Sequence, residues 1–377
     1  MKNSNGMKIA IQAADLDSTR IDGTRVYILN LLRYFGKLDP TSEFLIYHKN
    51  NFNPELVPPD FPNYKIKRVS FPFFWTQIRF AWEIWKDQPD VLWMPMQNIP
   101  FLRRRDLRVT ITSHDLAYKY FPEHFPKKDL LRLNFLGGRA KRQADKIIAV
   151  SESTKKDILK FYPEISESKI KVIYHGFDSA LFSQERNIEK EEEIKKRLKI
   201  NAEYILYSGA IQPRKNLEIL IEAFEIFKQK TDSPVKLVLA GGRAWLWENI
   251  IKKAKNSQLR ADIIMPGKLQ FDDLGHLMRG AEVFVFPSLY EGFGIPVLEA
   301  LASRTPVIAA DNSSLREVGG DAIVYFKEND PDELAMKIGN ILADENLRKN
   351  LVGKGLEQIK KFSWEKCARV TLQLLRS

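Results

Sequence analysis

The sequence predicts an α/β protein built from two doubly wound parallel sheets, one in each half of the chain. Three observations carry this. Short β-branched apolar runs alternate with longer helical patterns from end to end. The runs lack the apolar–polar alternation of a half-exposed strand, as expected where helices cover both faces of a parallel sheet. The chain has 377 residues, room for two domains of about 150 residues each.

In the first half the strand candidates are 8–13, 44–48, 65–69, 91–94, 109–112, 146–150 and 171–174, separated by helical stretches at 24–36, 75–86, 129–144 and 152–161. The second half repeats the rhythm. Its strands are 204–207, 235–240, 262–265, 283–286, 307–309 and 323–325, and its helices 217–229, 244–256, 271–279, 296–302 and 331–342. Pro296 and Pro331 suit a first helical turn, where a missing N–H costs nothing. The seam falls near 175–201. There the acid-then-base order of Glu191-Glu192-Glu193 and Lys195-Lys196-Arg197 suits either a charged linker or an exposed helix after it. The expected domains are 1–180 and 181–362, and a last helix, 363–377, carries an apolar stripe that includes Trp364, Val370 and Leu374. Ligands of such folds sit at the carboxyl ends of the strands.

Composition excludes several classes. Hydrophobic residues are 44% and charged residues 28%, ordinary for a globular protein rather than a disordered or fibrous one. One cysteine, Cys367, leaves neither a disulfide framework nor a cysteine-built zinc site. The five histidines are scattered, with no His-x-x-x-His pair. No apolar run approaches the ~18 residues of a membrane span. The polar leader 1–6 lacks the apolar core of a signal peptide, so the expected location is cytoplasmic. The net charge of +11 is uneven: residues 1–180 hold 29 Lys and Arg against 20 Asp and Glu, and residues 181–377 hold 30 against 28. A basic first half points to an anionic partner.

There is no Gly-x-x-x-x-Gly-Lys-[Ser/Thr] loop, no Gly-x-Ser-x-Gly elbow, and the Gly292-Phe293-Gly294 pair is followed by Val297 where a dinucleotide fingerprint needs its third glycine. Asp15-Leu16-Asp17 is a short Asp-x-Asp, a weak sign of metal binding that alone assigns none. The most informative stretch runs from Phe284 to Ala300: apolar strand, tight loop Pro287–Gly294, then helix. Loop N–H groups and a helix start make an anion site. Glu291 and Glu299 flank it. They are a loop cap and an exposed helix residue, or two carboxylates facing a hydroxyl-rich ligand. Arg214-Lys215 begin another helix, where cations oppose the helix dipole unless an anion lies nearby.

The pattern Pro-Ser-x-x-Glu-Gly-Phe-Gly-x-Pro-x-x-Glu-Ala over 287–300 resembles that of the family-4 retaining glycosyltransferases of the GT-B fold. So do, in order, Val109–Leu116, Ala149–Ser153, Val172–Asp178, Tyr207–Leu217, Leu237–Gly241 and Pro266–Leu269. The resemblance implies two Rossmann-like domains facing each other across a cleft, a last helix, 363–377, returning to the first domain, a nucleotide-diphospho-sugar as donor, with a GDP-sugar favoured, and a saccharide or lipid-linked acceptor. It implies that Glu291 contacts the donor sugar and reaction centre, and that Glu299 binds ribose hydroxyls. Arg214 and Lys215 would neutralise the diphosphate, a role suited to a charge-developing leaving group. Gly209, Gly267 and the Gly292-Phe293-Gly294 loop complete the donor set. His114, after a buried strand, would lie against the donor sugar; the residue alone also allows a core histidine. The Gly-Gly-x-Gly loop of the family is replaced by Asp22-Gly23-Thr24-Arg25. Gly23 and Thr24 then mark an acceptor or phosphate loop in which Arg25 is a phosphate contact or an exposed helix residue. Within the family the chain looks most like bacterial mannosyl- and rhamnosyltransferases of surface polysaccharides. No cofactor and no metal are expected.

Aromatics crowd residues 71–85, near Arg103-Arg104-Arg105 and the basic residues of 127–142. They form a core helix beside a solvated loop, or a peripheral contact with an anionic surface at the inner face of the membrane. Two rivals to glycosyl transfer are a GT-B sugar-nucleotide epimerase and a basic nucleic-acid-binding protein. The second lacks any accompanying nucleic-acid signature.

Overall fold

The computed structural model describes residues 6–182 and 185–377. Most of the polar leader and two residues of the seam therefore lie outside the described residues. The chain divides into two compact units, one of Met1–Leu116, Lys127–Gly176 and Ser363–Ser377, the other of Ala117–Pro126 and Phe177–Phe362.

The first unit holds a seven-stranded parallel sheet: β1 (Lys8–Gln12), β2 (Glu43–His48), β3 (Tyr64–Arg68), β4 (Val91–Met94), β5 (Arg108–Ser113), β6 (Lys146–Ala149) and β7 (Ile170–Val172), in the order β3-β2-β1-β4-β5-β6-β7. The second holds six: β8 (Tyr204–Ser208), β9 (Lys236–Ala240), β10 (Ile263–Gly267), β11 (Val283–Phe286), β12 (Val307–Ala310) and β13 (Val324–Phe326), in the order β10-β9-β8-β11-β12-β13. Every expected strand is present and every pairing is parallel. Central strands are buried on both faces, as in Val283–Phe286 and Val307–Ala310. Edge strand β3 instead exposes Lys65, Ile66 and Arg68, and the charges blunt edge-to-edge pairing. The strand order reverses beside β1 and beside β8. These switch points open a crevice at the strand ends.

Helices begin where short polar side chains cap them. Asp22 caps Gly23–Leu38, Ser151 caps Glu152–Phe161 and Ser363 caps Trp364–Arg376, each accepting a backbone N–H in the first turn. Pro296 and Pro331 stand in first turns. The charged seam forms a helix, Ile188–Leu198, capped by Asn187. Its buried Glu191 accepts from Arg186 at 2.8 Å. A helix the sequence reading lacks, Glu345–Ile359, starts at the Asp344 cap. Its Gly355 lies against Leu301, where a Cβ would come within 2.9 Å of a methyl group.

The last helix packs on Gly23–Leu38 within the first unit. Its buried stripe is Trp364, Cys367, Ala368, Thr371, Leu372 and Leu375. Val370 and Leu374 are only half-buried, so the expected stripe is corrected by one residue: spacings of three and four from Trp364 reach 367, 368, 371 and 375, not 370 and 374. Gly176 sits where the chain leaves this unit. A Cβ there would lie 2.1 Å from the Trp364 nitrogen, so only glycine permits the close crossing. His175 is buried, stacked on Tyr27 with ring centroids 4.7 Å apart and 5.4 Å from Trp364.

Candidate active site

In the second unit, three loops meet at the carboxyl ends of β8, β11 and β12. The loop after β8 turns through the short helix Pro213–Lys215 and through Asn216 at φ 53° into the helix Leu217–Lys230. This presents Arg214 and Lys215 beside the loop after β11. Lys215 and Glu291 are both buried. The Lys215 ammonium donates to Glu291 Oε1 and lies 5.0 Å over the Phe286 ring. Arg214 Nη1 donates to the Tyr290 carbonyl and stands 3.5 Å from the same carboxylate oxygen. The Ser288 hydroxyl also donates to it. Burial alone would push the Glu291 carboxyl up. The Lys215 and Arg214 charges and the Lys215 and Ser288 hydrogen bonds outweigh it and hold the group below its ordinary value, hence ionised.

The backbone around Glu291 is pinned as well. Its N–H donates to Ser313 Oγ at 3.0 Å. Ser314 Oγ lies 2.9 Å from the Glu291 carbonyl and 2.7 Å from that of Phe293. Ser313 takes a left-handed φ of 44° to do this, a strained conformation of the kind found at ligand sites. Gly292, Phe293 and Gly294 then lead into the helix Ile295–Ala302, with Gly294 at φ 108°. Gly209 follows β8, Gly267 ends β10, and between them, after β9, stands Gly241. The Gly209 N–H donates to the Ala240 carbonyl and the Gly241 N–H to that of Gly267. A Cβ on Gly241 would sit 1.7 Å from the Gly209 oxygen, so the backbones touch at the mouth of the crevice.

Glu299 contrasts with Glu291. It is half-buried on the Ile295–Ala302 helix. Among the described residues no ion pair or hydrogen bond engages its carboxyl group. Surrounding protein desolvates the group although an opening to solvent remains. With Asp178 adding like charge, its pKa is pushed up to about 8. Two carboxyl groups of one motif are thus held in opposite protonation states.

The first unit holds the remaining predicted residues. His114 follows β5. Its Nε2 lies 3.0 Å from the Pro95 carbonyl, which only accepts, so Nε2 carries the proton and Nδ1 is left with its lone pair. Burial lowers its pKa against the Pro95 bond and the charges of Asp115 and Asp22, and the ring is neutral at physiological pH. Tyr27 meets it edge-on at 5.1 Å. Gly23 and Thr24 form the first turn of the Gly23–Leu38 helix. Arg25 is drawn back onto the protein: Nη1 donates to Asp22 at 2.6 Å, Nε to the Asp15 carbonyl at 3.1 Å, and Nη2 stands 3.8 Å from the Asp15 carboxylate. Asp17 accepts the backbone N–H groups of Lys49 and Asn50 and lies 3.1 Å from His48 Nδ1. Its oxygens thus brace a turn. Among the described residues no group of three or more His, Cys, Asp or Glu could hold a metal ion. The sequence reading gives no site role to Ser288, Ser313, Ser314 or Gly241. Ser288 lies inside the quoted motif, but the two later serines have no local signal.

The family description "Glycosyltransferase Family 4" matches residues 21–181, and "Glycosyl transferases group 1" matches residues 189–358. The O-antigen chain mannosyltransferase B of Escherichia coli is 30% identical over 72% of this chain and 71% of its own length. The chain is a family-4 glycosyltransferase. The O-antigen chain mannosyltransferase RfbU of Salmonella typhimurium is 30% identical to this glycosyltransferase over 65% of the chain and 62% of its own length. HepE of Anabaena, solved in complex with UDP-glucose, matches 98% of the chain and 99% of its own, with a TM-score of 0.77 at 16% identity. That likeness shows the GT-B fold. The matched relatives support neither the epimerase nor the nucleic-acid reading. Among the described residues no helix is long and apolar enough to cross a membrane.

Proposed function

We propose that this glycosyltransferase moves a mannosyl unit from a nucleotide-diphospho-mannose, GDP-mannose favoured, to a saccharide or lipid-linked acceptor in surface polysaccharide synthesis. Its action would retain the anomeric configuration and need no metal ion. The carrying observation is the buried cluster of Arg214, Lys215 and Glu291 at the carboxyl ends of β8 and β11. The names of the two O-antigen mannosyltransferases support the sugar.

In the free enzyme Glu291 is the counter-ion of both cations. A donor diphosphate brings two or more negative charges to the same place and draws Arg214 and Lys215 to itself. The carboxylate is thereby released toward the sugar, where it stabilises positive charge developing at the anomeric carbon. Ser288, Ser313 and Ser314 keep its backbone in place through the exchange. The close glycine backbones at Gly209, Gly241 and Gly267 leave room for the nucleotide. Glu299, desolvated and with no hydrogen bond or ion pair to its carboxyl group among the described residues, receives the ribose hydroxyls. The fixed cations do the work for which other enzymes use a divalent ion, and the leaving diphosphate takes the acceptor's proton on the face it departs from. His114, neutral, offers Nδ1 to a donor-sugar hydroxyl. The basic first half favours a peripheral position at the cytoplasmic face of the membrane, where a lipid-linked acceptor is reached.

A thermal-shift screen of GDP, UDP and ADP, followed by transfer from the matching mannose and glucose donors, tests this. A nucleotide at ~100 times its Kd stabilises by about 2.7 kcal/mol. Selective stabilisation by UDP with glucosyl transfer would overturn the mannosyl assignment. No response to any nucleoside diphosphate would overturn the donor site.

A further inference from the structure

Residues 76–87 of the first unit form one helical run, a π-helical turn Thr76–Phe80 followed by the α-helix Ala81–Asp87. Its inward face buries Phe80, Glu83 and Ile84. Its outward face carries Ile78, Trp82 and Trp85, spaced i, i+4, i+7, each at least half exposed. A second run, residues 127–143, also contains a π-helical turn, Leu133–Gly137. It exposes Leu131 and Phe135 at i, i+4. The loop between, residues 98–105, exposes Leu102. π-helical turns are rare and concentrate at functional positions, and here each displays an outward apolar residue.

Hydrogen bonds fasten the three segments to one another. Gln77 Nε2 donates to Asn98 Oδ1 at 3.0 Å, and the Phe101 N–H donates to Gln77 Oε1 at 2.7 Å. From the other side Arg139 Nη1 donates to the Ile99 carbonyl at 2.9 Å and its guanidinium covers the Phe101 ring at 4.1 Å. Arg103 Nη2 donates to the Gln143 carbonyl at 3.1 Å. Leaving such a fastened apolar face in water has no folding rationale. Its surroundings are basic: residues 71–143 hold 13 Lys and Arg against 7 Asp and Glu, with Lys86, Arg105, Lys128 and Arg132 all exposed.

We infer that this face is a wedge that seats in the headgroup–acyl boundary of an anionic bilayer, with Ile78, Trp82, Trp85, Leu102, Leu131 and Phe135 entering it and the surrounding Lys and Arg pairing with lipid phosphates. Aromatic rings prefer that boundary, and basic residues beside it are attracted by anionic lipid. An apolar protein partner would leave the surplus of positive charge unanswered, whereas an anionic bilayer meets both features. The inference deepens the peripheral placement proposed above by naming the face and its mode of insertion, and so rests on that reading.

The test uses the full chain with vesicles of phosphatidylethanolamine and 30 mol % phosphatidylglycerol, and with phosphatidylcholine vesicles as the neutral control. The wild type should bind the anionic vesicles, retain part of that binding at 0.5 M salt, and show tryptophan emission quenched by acyl-brominated lipid. Trp82→Ser with Trp85→Ser should lower partitioning about 100-fold and remove the quenching. Lys86→Gln, Arg105→Gln and Lys128→Gln together should lower it about 100-fold at low salt only, at roughly fivefold per charge. Transfer to a soluble acceptor sugar should be unchanged in both variants, which also shows that they fold. Absence of quenching in the wild type would overturn the wedge. So would association of copies that the tryptophan substitutions abolish without affecting vesicle binding. Either result with soluble-acceptor transfer intact overturns the wedge and leaves the glycosyl-transfer reading standing.

Discussion

Glu299→Gln should make the free enzyme more stable and a poorer donor binder. In the folded protein the carboxyl keeps its proton to about pH 8, whereas in the unfolded chain it ionises near pH 4.5. Between these values the folded state holds the extra proton. The carboxyl therefore costs stability progressively as pH rises from about 4.5 to about 8, and the whole cost stands above that. The displacement of roughly 3.5 units is at most about 5 kcal/mol at 1.36 kcal/mol per unit. The opening to solvent at Glu299 cuts this to about 1–2 kcal/mol. Glutamine has the shape of the protonated acid and no charge to desolvate. At pH 9 the variant should gain about 2–8 °C in the melting of the second unit, at roughly 2–4 °C per kcal/mol for a unit of its size. At pH 5 the two proteins should melt together. Calorimetry at both values, with isothermal titration of the nucleoside diphosphate at pH 9, is the assay. Affinity should fall about 10- to 100-fold, the loss of a charged hydrogen bond to a buried ligand. A stability difference that does not change with pH, or unchanged nucleotide affinity, would refute the reasoning.

Lys215→Met removes the closer cation from Glu291, leaving Arg214 at 3.5 Å and Ser288. A loss of about 2–3 kcal/mol of stability and at least tenfold weaker nucleotide binding should follow, read by thermal melts with and without nucleotide. Gly241→Ala must push its backbone off Gly209 and should lose about 3 kcal/mol, measured by denaturant unfolding. Transfer should continue in EDTA; activity lost in chelator and restored by Mn²⁺ or Mg²⁺ would contradict the role of the Arg214–Lys215 pair. NMR of the product from an α-linked donor should show an α-linkage, and a β-linkage would remove the role proposed for Glu291.

The sequence by itself determined the order of elements and the residues that carry chemistry. Parallel strands buried on both faces must be written as short apolar runs, and Pro296 and Pro331 mark first helical turns because a missing N–H costs nothing there. The motif from Pro287 to Ala300 is local, so its residues were legible together. The helix Glu345–Ile359 was not, since Gly353, Gly355 and its many polar residues weaken the pattern, and Gly355 makes sense only against Leu301. Tertiary structure alone decided which charges meet. Lys215 and Glu291 are 76 residues apart, and nothing in either neighbourhood says that one neutralises the other. It also set Glu291 ionised and Glu299 protonated, because ionisation depends on what surrounds a carboxyl group in space and not on the seven residues between them. The same holds for residues 76–87. Apolar side chains lie on both faces of that helix, and only the sheet it covers determines that Phe80 and Ile84 turn inward while Trp82 and Trp85 remain in the open.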